Sequence, residues 1–193
     1  MPAEVSIIIP FYNGERYLEE SLRSALGQRG VDHEVVLVDD GSTDSSRDIA
    51  ERVGGDDVTL ITTSNGGVSR ARNLGLEACA PSSRYVLFLD ADDVLRDGAI
   101  AALYEHLLSR PELAATIGAV SRIDEHGETL VPAPELVEIH ELTDALRVRV
   151  VTGVERFGFR HLLPVTPISS PGQCLIARPM LTTVGGFAEG LRA

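Results

Sequence analysis

The sequence predicts an α/β fold: a Rossmann-like, mostly parallel sheet flanked by helices, with a more variable second half. Three observations lead there. Apolar, β-branched runs of strand length alternate with helix-period stretches over the first half of the chain, which is how right-handed crossovers build a parallel sheet. One of these runs, Tyr85 to Leu89, ends abruptly in Asp90-Ala91-Asp92-Asp93, and another ends in Asp39-Asp40. Finally, 193 residues with 44% hydrophobic and 24% charged side chains suffice for one domain with a substantial core.

Val5 to Pro10 is the first strand, β-branched and closed by a proline, and the chain turns at Asn13-Gly14. Glu15 to Leu26 follows as a helix, with Tyr17, Leu18, Leu22, Ala25 and Leu26 at helical spacing and Gly27 and Gly30 to end it. Glu34 to Val38 is the second strand. Ser42, Thr43 or Asp44 then caps a helix that runs through Ile49, Ala50 and Val53. Val58 to Thr62 is a short third strand, and Asn65-Gly66-Gly67 leads into a helix over 68–78. The fourth strand is the acid-tipped run over 85–89.

Beyond it the pattern loosens. Gly98 to Ser109 is a helix with Ile100, Leu103, Leu107 and Leu108 on one face, stopped before Pro111. Leu113 to Ile123 is expected as a strand with a turn at Asp124-Glu125-His126-Gly127, and Thr143 to Val151 as a helix. The stretch from Val154 to Pro171 is expected as loop, Gln173 to Ala177 as a late strand, and Pro179 to Val184 as a short helix broken by Gly185-Gly186-Phe187. There is no internal repeat, linker or low-complexity segment.

Composition narrows the function classes. A net charge of -12 without a basic run argues against a general nucleic-acid binder. Lysine is absent and all 17 cationic side chains are arginine, which removes P-loop, Schiff-base and lysine-dependent receiver chemistry. Cys79 and Cys174 have no metal-ligand spacing and are expected as reduced thiols in a cytosolic protein. No signal-peptide pattern or membrane-length apolar segment is present, so a cytoplasmic location is the expectation.

The acid-tipped strand carries the chemistry. Ligands in open α/β sheets sit beyond the strands' carboxyl ends, so Asp90, Asp92 and Asp93 belong at the rim of a cleft. Carboxylates this close repel, and a divalent cation relieves the repulsion. Carboxylate ligation suits Mg²⁺ or Mn²⁺, which complete their shell with water and substrate phosphate. The bland alternative is a solvated acidic turn. The first turn, Pro10-Phe11-Tyr12-Asn13-Gly14, lacks the Gly-x-Gly-x-x-Gly spacing of a dinucleotide site.

Taken together, Ile9-Pro10-Phe11-Tyr12-Asn13, the run Val36 to Asp44 with Asp39-Asp40-Gly41-Ser42, the run Asn65 to Gly75, Leu89-Asp90-Ala91-Asp92-Asp93 and Val184-Gly185-Gly186-Phe187 resemble the family-2 inverting glycosyltransferases with the GT-A fold. The resemblance spans most of the chain and is weakest between Thr116 and Ser170. It implies one domain over 1–193, with 1–110 as the nucleotide-sugar-binding half and 111–193 as the acceptor-side half. It implies a nucleoside-diphosphate sugar donor, UDP favoured, a Mn²⁺ or Mg²⁺ cofactor, and a glycan, lipid-linked or small-molecule acceptor reached with or without peripheral membrane contact.

The same resemblance distributes roles. Pro10, Tyr12 and Asn13 fall in the donor-binding turn, with Tyr12 against the nucleobase. Asp40, with Asp39 second, accepts from a pyrimidine ring N–H; Arg72 lies on the base or phosphate side, and its neighbour Asn73 is structural. Asp90 faces the ribose, and Asp92 or Asp93 faces the metal. No catalytic residue is assigned. The family's base lies in an acidic motif after the Gly-Gly-Phe turn, whereas here only Glu189 follows that turn, and it is expected as a turn residue. The expectation is a domain of a longer enzyme; the alternative is a nucleotide-sugar-binding module or partner subunit. A haloacid-dehalogenase-type phosphatase shares the Asp-x-Asp after a strand but needs a later acidic pair and an early position for it. Sugar-activating nucleotidyltransferases begin with a Gly-rich basic loop, unlike this first turn.

Overall fold

The computed structural model describes residues 3–118, 121–124, 129–131, 137–140, 147–150, 154–157 and 170–189. Four strands, β1 (Val5–Phe11), β2 (His33–Asp39), β3 (Val58–Thr62) and β4 (Tyr85–Phe88), form the expected parallel layer in the order β3-β2-β1-β4. Helices α1 (Leu18–Leu26), α2 (Ser46–Gly54) and α3 (Val68–Ala78) are its crossovers, and α4 (Ala99–Ser109) follows β4.

Alternate strand residues face opposite sides. Val5, Ile7, Ile9 and Phe11 point to one face, where they meet Leu18 and Leu22 of α1, Ala50 of α2 and Ile100, Leu103 and Leu107 of α4. Ile8, Val36, Val38, Val86 and Phe88 point to the other, against Ala71 of α3 and Leu181. The sheet is thus covered on both faces, which is why its strands read as unbroken apolar runs.

β1 does not stop at Pro10 but continues to Phe11. The Ile8 carbonyl accepts from Leu89 N at 2.8 Å on the β4 side, and that of Phe11 from Asp40 N at 2.9 Å on the β2 side. Pro10 therefore turns its missing N–H toward the β4 side, past the end of β4, where no ladder bond is lost. α1 starts at Leu18 rather than Glu15. The reason is that Glu15 is held in the turn, its N–H donating to Asp44 Oδ2 and its carboxylate accepting from Ser45 N, each at 3.1 Å. Asp44 also accepts from Ser46 N at 3.0 Å, but the N-cap of α2 is Ser45, so none of the expected residues occupies that position.

The second half adds antiparallel strands. β5 (Leu113–Ile117), β6 (Arg122–Ile123), β7 (Thr129–Val131), β8 (Val137–His140), β9 (Arg147–Val150), β10 (Val154–Phe157) and β11 (Cys174–Ala177) come in chain order, then α5 (Arg178–Val184). β11 inserts between β4 and β5, antiparallel to both, and the sheet runs β10-β9-β8-β5-β11-β4-β1-β2-β3. The expected strand over 113–123 is two strands, because β6 leaves the main sheet to pair with β7. Arg147–Val150, expected within a helix, is a strand paired with β8, and Val154–Phe157, expected as loop, pairs with β9. The rest of the expected helix over 143–151, the loop over 158–169 and the turn residues 125–127 lie outside the described residues. Among the described residues no helix is long and apolar enough to cross a membrane.

Candidate functional site

β1, β2 and β4 run parallel and end at one edge, where Phe11 pairs with Asp39 and Ile8 with Phe88. Residues just past those ends, Tyr12, Asp40 and Asp90, share that rim. Tyr12 is half exposed, a flat ring open to a ligand. Asn13, next to it, adopts a left-handed φ of 51°, which asparagine tolerates better than most residues. Its Oδ1 accepts from Thr43 N at 2.8 Å, while its own N–H donates to Ser42 Oγ at 3.1 Å. Gly14 N donates to Ser46 Oγ at 2.8 Å. The turn after β1 is thereby stitched to the turn after β2, and Asn13 spends its side chain on that seam.

The two aspartates at the end of β2 are both buried but differently employed. Asp39 accepts from Ser42 N at 2.8 Å and pairs with Arg47, Nε at 2.9 Å and Nη2 at 2.8 Å. Burial pushes its carboxyl up, but the Ser42 and Arg47 donors more than offset this and hold it below the ordinary carboxylate value. Asp40 grips the loop before α3 instead, Oδ1 accepting from Gly66 N and Oδ2 from Gly67 N, both at 2.8 Å. Gly41 has φ +82°, and a Cβ there would lie 2.8 Å from Asn65 N, so only glycine fits under this loop.

The acid-tipped strand divides its carboxylates in three ways. Asp90 Oδ1 accepts from Arg72 Nη2 at 2.7 Å, and its backbone carbonyl accepts from Ser21 Oγ at 3.2 Å. Asp93 Oδ2 accepts a short hydrogen bond from Ser170 Oγ. Burial pushes the Asp93 carboxyl up, and the charges of Asp90 and Asp92 add to the rise against the Ser170 bond. Asp92 alone is exposed, with no side-chain hydrogen bond or ion pair among the described residues. No cluster of three metal-ligating side chains occurs among the described residues. A hard cation that takes one or two protein carboxylates and completes its shell with diphosphate and water would fit this arrangement, in which Asp92 is the carboxylate left open.

Ser170, missed from sequence, belongs to a short 3-10 turn, Pro171–Gln173, with a reciprocal capping box. The Ser-x-x-Gln spacing was the signal for it. Gln173 Nε2 donates to Gly118 O at 3.2 Å, so this turn joins the Asp93 rim to the β5 side. Arg47, equally missed, is an ordinary helix arginine until Asp39 is placed beneath it. Asn73 is structural as expected: Nδ2 donates to Phe187 O and Glu189 Oε1, both at 2.9 Å, and Oδ1 accepts from Phe187 N at 2.8 Å. Glu189 is thus tied to the turn that precedes it. Tyr12, Asp40, Arg72, Asp90, Asp92 and Asp93 gather at the rim, while Pro10 in β1, Asp39 in β2 and Asn13 in the seam support it.

A four-stranded parallel layer with acid-tipped strands, extended by antiparallel strands, is the GT-A architecture. The sequence profile of Glycosyl transferase family 2 matches residues 6–181, and the chain belongs to that family. An uncharacterized glycosyltransferase of Haemophilus influenzae is 31% identical over 153 residues, 77% of this chain and 60% of that protein. The minor teichoic acid biosynthesis protein GgaA of Bacillus subtilis is 39% identical over 106 residues, 52% of this chain and 24% of that one. The chain spans less than two thirds of these relatives' own length. Among solved structures, S. aureus TarS 1-349 superposes with a TM-score of 0.67 at 22% identity over 98% of this chain and 52% of TarS. Its complex with UDP-GlcNAc gives 0.66 at 24%, covering 98% and 50%. The mannosyltransferase PcManGT of Pyrobaculum calidifontis, in complex with GDP-Man and Mn²⁺, gives 0.65 at 22%, covering 99% and 49%. These likenesses establish the fold.

Proposed function

We propose that this chain is the GT-A domain of a family-2 glycosyltransferase that takes a UDP-sugar with Mn²⁺ or Mg²⁺ and passes the sugar, with inversion, to an acceptor hydroxyl in polysaccharide assembly. The observation that carries this reading is the division of labour on the rim. Asp90 and Asp93 are held by Arg72 and Ser170, while Asp92 remains exposed and without a partner among the described residues. A carboxylate left open beside two engaged ones, past the ends of parallel strands, is where a hard cation and a diphosphate meet.

In this reading Tyr12 stacks on the base, Asp40 accepts from its ring N–H with the lone pairs its glycine contacts leave free, and Asp90 faces the ribose. Pro10, Asn13 and Asp39 hold those groups in place. Asp92 is the metal's protein ligand, and Asp93 fixes the turn at Ser170. When bound, the metal stabilises negative charge on the departing nucleoside diphosphate. The UDP preference follows the expectation that Asp40 accepts from a pyrimidine ring N–H; the UDP-GlcNAc complex of TarS is a neighbour in fold. Residues 111–193 form the acceptor side, and the cytoplasmic location expected from sequence is kept.

A second reading has one observation in its favour. Glu189, the carboxylate that follows the Gly-Gly-Phe turn among the described residues, accepts from Asn73 through Oε1 and is engaged in that turn rather than standing free as a base. An inverting transfer needs such a base within reach of the acceptor hydroxyl. A donor-binding module without turnover would bind UDP-sugar and release no UDP. The site assignment is tested by Asp92→Ala: the gain in UDP affinity brought by Mn²⁺ should fall by at least about tenfold. An unchanged gain would contradict it.

A further inference from the structure

Arg72 of α3 is engaged on two sides. Its Nη2 donates to Asp90 Oδ1 at 2.7 Å, and its Cζ lies 5.4 Å from the centroid of the Phe187 ring. The side chain is only 14% exposed, and Nε is buried without a hydrogen-bond partner among the described residues. A guanidinium with an idle buried donor carries a cost. The ion pair and the ring face must outweigh it, so the arginine is placed for those two contacts.

Phe187 is itself fixed. Its ring meets Phe88 at the end of β4 edge to face, with centroids 4.8 Å apart. Its backbone N–H and carbonyl are both clamped by Asn73, the residue after Arg72. A Cβ on Gly186 would come within 2.7 Å of Asn73 Oδ1, so this clamp also requires the glycine before it. The turn after α5, the α3 pair Arg72-Asn73 and the rim carboxylate Asp90 therefore form one connected unit. It spans 114 residues of sequence between Asn73 and Phe187.

We infer that Arg72 is a positioning residue: seated on Phe187, it aims the Asp90 carboxylate at the donor and does not bind the donor itself. This rests on the proposed function, since it needs a donor for Asp90 to face. A planar guanidinium fixes the orientation of a carboxylate in a way that a mobile ammonium does not. Arg72 is also the counter-charge that Asp90 has beside Asp92 and Asp93. The placement of the Gly185-Gly186-Phe187 turn is thus transmitted to the donor site through one side chain.

The test is a double-mutant cycle read by calorimetric titration of the whole chain with UDP in Mn²⁺. Asp90→Asn and Arg72→Gln should each raise Kd by about tenfold, the scale of a hydrogen bond to a charged group. The double variant should also stand near tenfold, because each change removes the same interaction with the donor. A loss near the product, about a hundredfold, would place Arg72 on the donor directly and overturn the inference.

Phe187→Leu, which keeps the apolar bulk, should raise Kd by about threefold in the native background and not at all beside Asp90→Asn. Phe187→Tyr, which keeps the ring face, should restore native binding. This second cycle carries the test if Arg72→Gln does not fold. An equal effect of Phe187→Leu in both backgrounds would overturn the inference. If the unaltered chain bound no UDP, the proposed function would fall and this inference with it; additive cycles on a chain that binds UDP would remove this inference alone.

Discussion

Asp39 and Asp40 are neighbours at the end of β2, yet their carboxylates do unlike work. Asp39 is fully buried under Arg47, whereas Asp40 holds the backbone of Gly66 and Gly67. Because the folded carboxyl of Asp39 lies below its ordinary value, the unfolded chain binds more protons at low pH, and stability rises with pH across that window. Its contribution is complete above about pH 5 and is lost as pH falls through the depressed value. Arg47→Gln should therefore lower stability at pH 7 by about 1–2 kcal/mol, discounted for the exposure of Arg47. Urea unfolding of both proteins from pH 7 to pH 3 should show a shallower fall for the variant; parallel curves would contradict the assignment. Burial likewise pushes both cysteine thiols up, Cys174 to about 12. Neither should react with a thiol reagent in the native protein, and both should react in denaturant. The Asp-Asp rim was visible in sequence. Which aspartate serves the fold and which the loop was not, because the deciding partners arrive on α2 and on the loop before α3.

At the scale of elements, α3 docks through Gly75, where a Cβ would overlap Ile8 Cγ2 and lie 3.3 Å from that of Val38. Gly75→Ala should cost about 1–3 kcal/mol by overpacking despite its better helix propensity, measurable as a lowered urea midpoint. A stabilised variant would show that the helix stands off the sheet. Asn73→Ala removes three hydrogen bonds to the turn after α5 and should cost about 2–4 kcal/mol. The helices and strands of the first half were legible because a two-face-buried parallel layer writes long apolar runs separated by helical periods. Arg147 to Val150 was misjudged as helical although Val148 and Val150 alternate with arginines, a period-two signal too short to outweigh its surroundings. The Ser170 turn was equally readable as a capping box but lay inside a stretch with no periodic pattern around it.

At the scale of the whole molecule, the order of the sheet decides what the rim can be. The alternation of strands and helices foretold a parallel layer, not the order β3-β2-β1-β4 in which its strands lie. It did not foretell that β11, near the end of the sequence, inserts antiparallel between β4 and β5, because strand order leaves no mark on local periodicity. That insertion brings the Ser170 turn to Asp93, and the helix after it brings Phe187 to Arg72. The rim is therefore built from both halves of the chain. On the proposed function, Asp92 serves a cation bound together with a nucleoside diphosphate. The direct measurement is calorimetric titration of this chain with UDP and with GDP, each with and without Mn²⁺. UDP should bind, Mn²⁺ should strengthen that binding by about tenfold or more, and GDP should bind more weakly. UDP binding indifferent to Mn²⁺, or no binding of either nucleotide, would contradict the proposed function.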